Sequence, residues 1–143
     1  MTIKKMRISR ARCKERGRYL QKEIAKKISE ITGIPYGKDE PIASREMGQS
    51  GPDVRLVGEA KRIFPFAIEA KYQEKWNVVE WIKQAKKNMQ DSGKYLSWLL
   101  VLKKNNLDPI VVLDMNVFFS IAFPWIERMK HEKEIQNDQI NQG

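Results

Sequence analysis

The chain holds one cysteine and one histidine in 143 residues, and that shortage removes whole classes of chemistry. Cys13 has no partner for an intramolecular disulfide, so a fold stapled for an oxidising compartment is not expected. A zinc centre built from Cys and His is excluded. A Ser-His-Asp or Cys-His pair would have to use His131, close to the polar end of the chain. Long apolar runs are also missing: the best candidate, Val111 to Ile126, is broken by Asp114, Asn116 and Pro124, and none approaches the roughly 20 residues of a membrane-spanning helix. The opening segment MTIKKMRISRARCK has no apolar stretch of signal-peptide type. Its basic run leads into a helix with a core-facing stripe, unlike a separable transit sequence. An enzyme of this composition works with carboxylates and lysines, and no membrane partner is expected.

What is present is charge of one sign in one place. Residues 1–28 carry eleven Lys or Arg against Glu15 and Glu23, and account for the whole net charge of +9; the remaining 16 bases and 16 acids cancel. Such concentration is the footprint of a polyphosphate partner, although a solubilising terminus has the same composition. Arg10, Arg12, Lys14, Arg16 and Arg18 recur at every second position, a spacing suited to tracking a nucleic-acid backbone.

Periodicity and turn signals outline one domain. Residues 1–11 read as a flexible basic arm, residues 12–130 as a single domain, and residues 131–143 as a polar, Asn- and Gln-rich tail of disordered type. A helix is predicted from about Cys13 to Ile31, with Leu20, Ile24, Ile28 and Ile31 as its apolar stripe. Residues 33–52 read as loop, followed by a hairpin of two strands, Asp53 to Val57 and Ile63 to Tyr72. A second helix spans about Asn77 to Asp91, with Val78, Ile82, Ala85 and Met89 inward. Tyr95 to Leu102 and Ile110 to Leu113 read as buried strands, and Asn116 to about Met129 as a helix bent at Pro124. The order implies an α/β fold with helices flanking a central mixed sheet. Trp76 and Trp81, at helical positions beside Val78 and Ile82, are suited to the core or a dimer interface, or to stacking on bases.

The segment SGPDVRLVGEAKRIFPFAIEAKY carries the chemistry. Glu69 and Lys71 stand two apart on a strand and share a face, while Ile68 and Ala70 turn the other way. If the hairpin brings Asp53 alongside, two carboxylates and an ammonium converge, and like charges so close call for a cation. Hard oxygen ligands suit Mg²⁺, which keeps several waters and accepts a phosphate oxygen. Lys71 can then orient or deprotonate a water, or stabilise the charge developing on phosphorus. The bland alternative is a surface strand with ion pairs of little worth. Glu59-Ala60-Lys61 repeats the tripeptide in the expected turn, without flanking apolar alternation, and reads as solvated.

Pro52-Asp53, fifteen intervening residues and Glu69-Ala70-Lys71 resemble the PD-(D/E)XK, or restriction-endonuclease-like, nucleases. The likeness spans roughly Arg12 to Leu113. The loop SREMGQSGPD is similar to the serine- and glycine-containing loop before the catalytic Asp of small Holliday junction resolvases of archaeal and phage type. The resemblance implies a restriction-endonuclease-like core. It implies that Asp53 and Glu69 bind Mg²⁺ (or Mn²⁺) with the main-chain carbonyl of Ala70. It further implies that Lys71 acts on the water nucleophile, that Glu23 supports the metal, and that Gln84 orients Lys71 or the water. Ser44 and Arg45 would contact phosphates flanking the cut, with Ser50 as the other loop serine, and Arg7, Arg10, Arg12, Lys14, Arg16 and Arg18 would bind DNA. Glu23 pairing with Lys26 or Lys27, and a solvent-facing Gln84, are the local alternatives.

The expectation is therefore a Mg²⁺-dependent DNA endonuclease of recombination and repair, acting on four-way junctions. It would work as a homodimer with contacts near Val117, Phe118, Phe119 and Trp125, in the cytoplasm of a prokaryotic cell or phage-infected host. The rivals are a related nuclease for flaps, single strands or duplex DNA, a non-catalytic nucleic-acid-binding protein, and an assembly protein on packaged nucleic acid.

Overall fold

The computed structural model describes residues 9–143; Arg7 and the start of the basic arm lie outside them. The described residues up to Val112 form one compact unit, and Leu113–Gly143 forms a second.

Helix α1 (Arg10–Thr32) is capped by Ser9, whose hydroxyl accepts from the Arg12 N–H at 3.3 Å. It ends at Gly33, whose φ of 71° lets its N–H reach the Ser29 carbonyl. The helix thus starts ahead of Cys13, inside the stretch assigned to a flexible arm. The alternate-residue basic run is wound on this helix, so it does not form one line. Arg10, Lys14 and Arg18 make one row, and Arg12 and Arg16 another. Leu20, Ala25 and Ile28 are buried, whereas Ile31 stays 65% exposed in the last turn.

Residues 33–52 are not all loop. Strand β1 (Ile42–Ser44) pairs antiparallel with β2 (Val54–Leu56), in the register Ile42 to Leu56 and Ser44 to Val54. This ladder replaces the expected β2–β3 hairpin, because the segment after β2 folds as a short helix, α2 (Glu59–Ile63). Glu59 of the decoy tripeptide is exposed there and pairs with Arg62.

Strand β3 (Phe66–Tyr72) leads through helix α3 (Val78–Asp91) into strand β4 (Ser97–Lys104). A helical crossover allows parallel pairing, and β3 and β4 are parallel with Glu69 opposite Leu100. Strand β5 (Leu107–Val112) returns antiparallel to β4 and forms the edge of a mixed sheet of order β3-β4-β5. Pro109, with no N–H to give, is tolerated at that edge. Phe66 to Ala70 are all buried, so β3 is covered on both faces and the surface-strand alternative fails. Trp81 and Ala85 of α3 pack on Trp98, Leu100 and Leu102, while α1 packs on β1 and β3. Trp81 is thus a core residue. The fold is the expected α/β core, a mixed sheet flanked by helices.

In the second unit, helix α4 (Met115–Asn141) begins at Asp114, whose carboxylate accepts from the N–H groups of Asn116 and Val117. It continues through Pro124 and through residues 131–141, which composition assigns to a disordered tail. Helical spacing brings Lys130 to Glu127 and Arg128 to Glu132, and no Gly or Pro interrupts the stretch from Trp125 to Gln142. At about 100° per residue, its apolar positions from Met115 to Ile126 sweep roughly 240° of the helix surface. Phe118, Phe119, Phe123 and Trp125 are more than half exposed.

Candidate active site

Asp53 enters the site through its backbone. Its N–H donates to the Ile68 carbonyl at 2.8 Å, which lays the residue along the free edge of β3. The Ala70 N–H then donates to Asp53 Oδ2 at 2.8 Å. N–H and C=O of a strand residue leave on the same side, so the Ala70 carbonyl also faces that edge. The convergence expected of a hairpin is thus achieved by a single backbone bridge at the end of β2.

Glu69 faces α3. The side-chain amide of Asn88 donates to its two oxygens at 3.1 and 3.2 Å. Both carboxylates are sequestered, Asp53 at 4% and Glu69 at 3% exposure. Lys71 follows Glu69 on the same face, half-buried, with its ammonium 5.9 Å from the centre of the Trp81 ring.

Burial dominates the electrostatics. It pushes the Glu69 carboxyl up to about 7, reinforced by the Asp53 charge and opposed by Lys71, Arg45 and the Asn88 hydrogen bonds. Burial also raises the Asp53 carboxyl, against the Ala70 N–H and the charges of Arg45 and Lys71. Two buried acids that resist ionisation even beside Arg45 and Lys71 would ionise more readily with a further cation, and the donor set suits one of hard character. Asp53, Glu69 and the Ala70 carbonyl would supply two charges and oxygen ligands to such an ion. A divalent metal fits here.

The site opens into a cleft of about 1460 Å³, lined by Asp53, Ala70, Lys71 and Arg45 on one side. Cys13, Arg16, Gly17 and Gln21 of α1 and Lys104 and Asn105 of the β4–β5 turn complete it. Tyr72 stands at the rim, with its hydroxyl donating to Asn105 Oδ1 at 2.9 Å and the Arg16 guanidinium 5.2 Å from its ring centre. Glu74 ties Arg16 (3.4 Å) to the Asn105 N–H (3.1 Å).

Not every residue assigned from the resemblance arrives. Glu23 is exposed and does not line the cleft; α1 turns Cys13, Gly17 and Gln21 there, and position 23 is rotated away from that row. No group of three or more His, Cys, Asp or Glu side chains able to hold a metal occurs among the described residues, so Glu23 adds no third carboxylate. Gln84 is exposed, and Asn88, one turn later, is the α3 side chain that reaches the site, where it holds Glu69 rather than Lys71. Ser44, Arg18 and Lys22 share a second cleft of about 400 Å³. Arg45 reaches both clefts, but its guanidinium is held by Asp53 Oδ1 at 3.0 Å and by the Gly51 carbonyl at 2.6 Å rather than free for a phosphate. Arg10, Arg12 and Lys14 are exposed on α1 and line none of the large cleft. Sequence reasoning missed Asn88, Gln21 and Lys104. Asn88 lies four residues after Gln84 and Gln21 four after Gly17, so helical spacing was the available signal.

No curated protein and no solved structure matches the chain. One protein-family model does, over residues 12–142, and its description is "Phage putative PDDEXK endonuclease". Nucleases of the PDDEXK type use divalent metals, in keeping with the oxygen-rich pair at Asp53 and Glu69. With nearly its whole length matched and its P-D and E-x-K residues drawn together at one strand edge, the chain belongs to this phage PDDEXK endonuclease family.

Proposed function

We propose that the protein is a Mg²⁺-dependent, structure-selective DNA endonuclease, a Holliday junction resolvase that hydrolyses phosphodiester bonds in four-way junctions. The observation that carries this reading is the buried pair Asp53 and Glu69, with Asp53 and Lys71 lining a cleft to which Arg16, Lys75 and Lys104 also contribute. Asp53, Glu69 and the Ala70 carbonyl would hold the ion, which when bound lends Lewis-acid stabilisation to the phosphate and lowers the pKa of a water. Mn²⁺ can substitute for it, having the same preference for oxygen ligands.

Lys71 sits at the mouth of the pair, where its ammonium can orient the attacking water or meet the charge growing on the phosphate oxygens. Asn88 fixes the Glu69 carboxylate so that its lone pairs stay aimed at one point. Arg16 and Lys104, which both line the cleft, would bind phosphates flanking the cut, and Arg10, Arg12, Lys14 and Arg18 would extend the basic surface along α1. Trp76, half-buried with its indole N–H donating to the Gln73 carbonyl at 2.9 Å, serves packing rather than base stacking.

A four-way junction has two-fold symmetry, and paired cuts follow most simply from a symmetric homodimer. We assign the dimer contact to the aromatic surface of α4, including Val117, Phe118, Phe119 and Trp125. No helix among the described residues is long and apolar enough to cross a membrane, and the proposed place of action is the cytoplasm of the phage-infected host, in recombination and repair of DNA.

The deciding experiment incubates a labelled four-way junction and its matched linear duplex in one tube, with Mg²⁺ and with chelator. Symmetric nicks confined to the junction, and lost with chelator, are expected. Equal cutting of the duplex would keep the nuclease and discard the resolvase. Cutting of flaps or single strands alone would point to those substrates. No metal-dependent cutting of any of them would leave a non-catalytic DNA-binding protein.

A further inference from the structure

Arg45 is the residue whose position the reaction as described leaves unexplained. Its backbone N–H donates to the Asp53 carbonyl at 2.8 Å, its Nη1 donates to the Gly51 carbonyl at 2.6 Å, and its Nη2 lies 3.0 Å from Asp53 Oδ1. The other Asp53 oxygen is taken by the Ala70 N–H. Both oxygens of the principal candidate ligand are therefore engaged. With Lys71 beside them and both acids ionised, the two carboxylates and two cations of the cluster sum to zero charge. A neutral cluster offers a divalent ion little net attraction, even where lone pairs remain to coordinate it. The Arg45 side chain is 30% exposed and lines both clefts. A phosphate entering either one meets a guanidinium whose planar fork matches phosphate geometry as well as it matches a carboxylate.

We propose that Arg45 is the resident counter-cation of the metal-free site, and that its transfer from Asp53 to a DNA phosphate couples DNA binding to divalent-metal binding. This rests on the metal-site reading of Asp53 and Glu69. DNA-free protein then holds the ion weakly, because ion and guanidinium compete for one carboxylate. A bound phosphate draws Arg45 off and adds negative charge, and the site takes the ion. Linkage makes the coupling reciprocal, so metal strengthens DNA binding by the same factor that DNA strengthens metal binding.

The test is a calorimetric titration of Mn²⁺ into the DNA-free protein, for wild type, Arg45→Gln, Arg45→Lys and Asp53→Asn, each checked for its fold by circular dichroism. Arg45→Gln keeps donors for Gly51 and removes the charge, and should bind Mn²⁺ about tenfold more tightly than wild type, a usual size for such coupling. Arg45→Lys keeps the charge and should stay within about twofold of wild type, since the competing term is retained. Unchanged or weaker Mn²⁺ binding by folded Arg45→Gln would overturn the proposal. A second measurement needs no variant: four-way-junction affinity of wild type in Ca²⁺ against chelator, where about a tenfold gain is expected and its absence also overturns the proposal. If Asp53→Asn binds Mn²⁺ as wild type does, the metal-site reading itself fails, a different result from Asp53-dependent binding that Arg45→Gln leaves unaltered.

Discussion

Asn88 on α3 grips both oxygens of Glu69 on β3, at 3.1 and 3.2 Å. The contact reaches from helix to strand and fixes the rotation of a carboxylate that has little exposed surface from which water could replace it. Asn88→Ala should lower cleavage about 10- to 100-fold, the usual effect of removing a partner that orients a ligand. It should also cost about 1–3 kcal/mol of stability without metal, because a buried acceptor loses its donors. Gln84→Ala, one turn away and exposed, should change cleavage less than twofold, as surface substitutions away from the site generally do. Single-turnover cleavage rates and urea melts of both variants check this, and equal effects of the two would contradict it.

The raised carboxyl of Glu69 makes the stability of the metal-free protein depend on pH in a definite direction. Between the ordinary value of 4.5 and about 7, the folded state holds a proton that the unfolded chain has released. The stabilising contribution is therefore full below 4.5 and is lost as pH rises through about 7. The shift corresponds to a loss on the order of 3 kcal/mol, and the raised Asp53 carboxyl acts in the same sense. In chelator, the melting temperature should fall from pH 5.5 to pH 8, and Glu69→Gln should flatten the fall. Added Mg²⁺ should recover more stability at pH 8 than at pH 5.5, because binding releases the proton that low pH retains. A fall of the same size in Glu69→Gln would place its origin elsewhere.

The parts of the site that were legible in the sequence are those governed by local alternation. Glu69 and Lys71 share a face because a strand has period two, and Asp53 opens a strand after Pro52 and Gly51; those facts survive in any packing. What alternation could not show was the cover. Phe66 to Ala70 read as a half-exposed strand, yet β3 lies under helices on both faces, which is what raises the Glu69 carboxyl. Strand β1 was hidden because three residues, Ile42 to Ser44, are too few for a period to register. Glu23 is attractive by charge and by its helix, but the face of α1 that lines the cleft carries Cys13, Arg16, Gly17 and Gln21. Composition marks Asn and Gln as disordering and so ends the predicted C-terminal helix early, while α4 runs to Asn141 with ion pairs at helical spacing in the turns around Glu127 to Glu132.

Asp53→Asn should abolish cleavage, by about 10³-fold or more given that the charge stabilising the transition state is assembled on this carboxylate. Junction binding should persist or strengthen, because the substitution removes a negative charge from a cleft that receives phosphates. Glu23→Gln should leave the cleavage rate within about twofold, as expected of an exposed residue outside the cleft. Gel-shift affinity and cleavage, measured on the same preparations, separate the two properties. Loss of binding by folded Asp53→Asn would count against the metal-site assignment, and loss of cleavage by Glu23→Gln would restore the third carboxylate.

The aromatic surface of α4 makes the proposed dimer testable at single residues. A helix neighbour covers a stripe somewhat over 100° wide, and the apolar arc of Met115 to Ile126 is about twice that, more than one packing partner can hide. The exposed fractions of Met115, Phe118, Phe119, Ile121, Phe123, Trp125 and Ile126 range from 44% to 68%. At roughly 200 Å² for a large side chain, they leave on the order of 700 Å² of apolar surface per copy, close to one partner's share of a standard interface. The following turns carry Glu127, Arg128, Lys130, Glu132 and Lys133, mixed charges that form a rim able to face its own copy. Phe119→Glu combined with Trp125→Ser should therefore weaken self-association by about 30- to 1000-fold, the range for losing interface aromatics, and give a monomer in light scattering at micromolar concentration. Cleavage of a junction should change with it, from paired symmetric cuts to single nicks, while the first nick at saturating protein keeps its rate because Asp53, Glu69 and Lys71 all come from one chain. Wild type that is monomeric at the same concentration, or a double variant that still dimerises, would remove α4 from the interface.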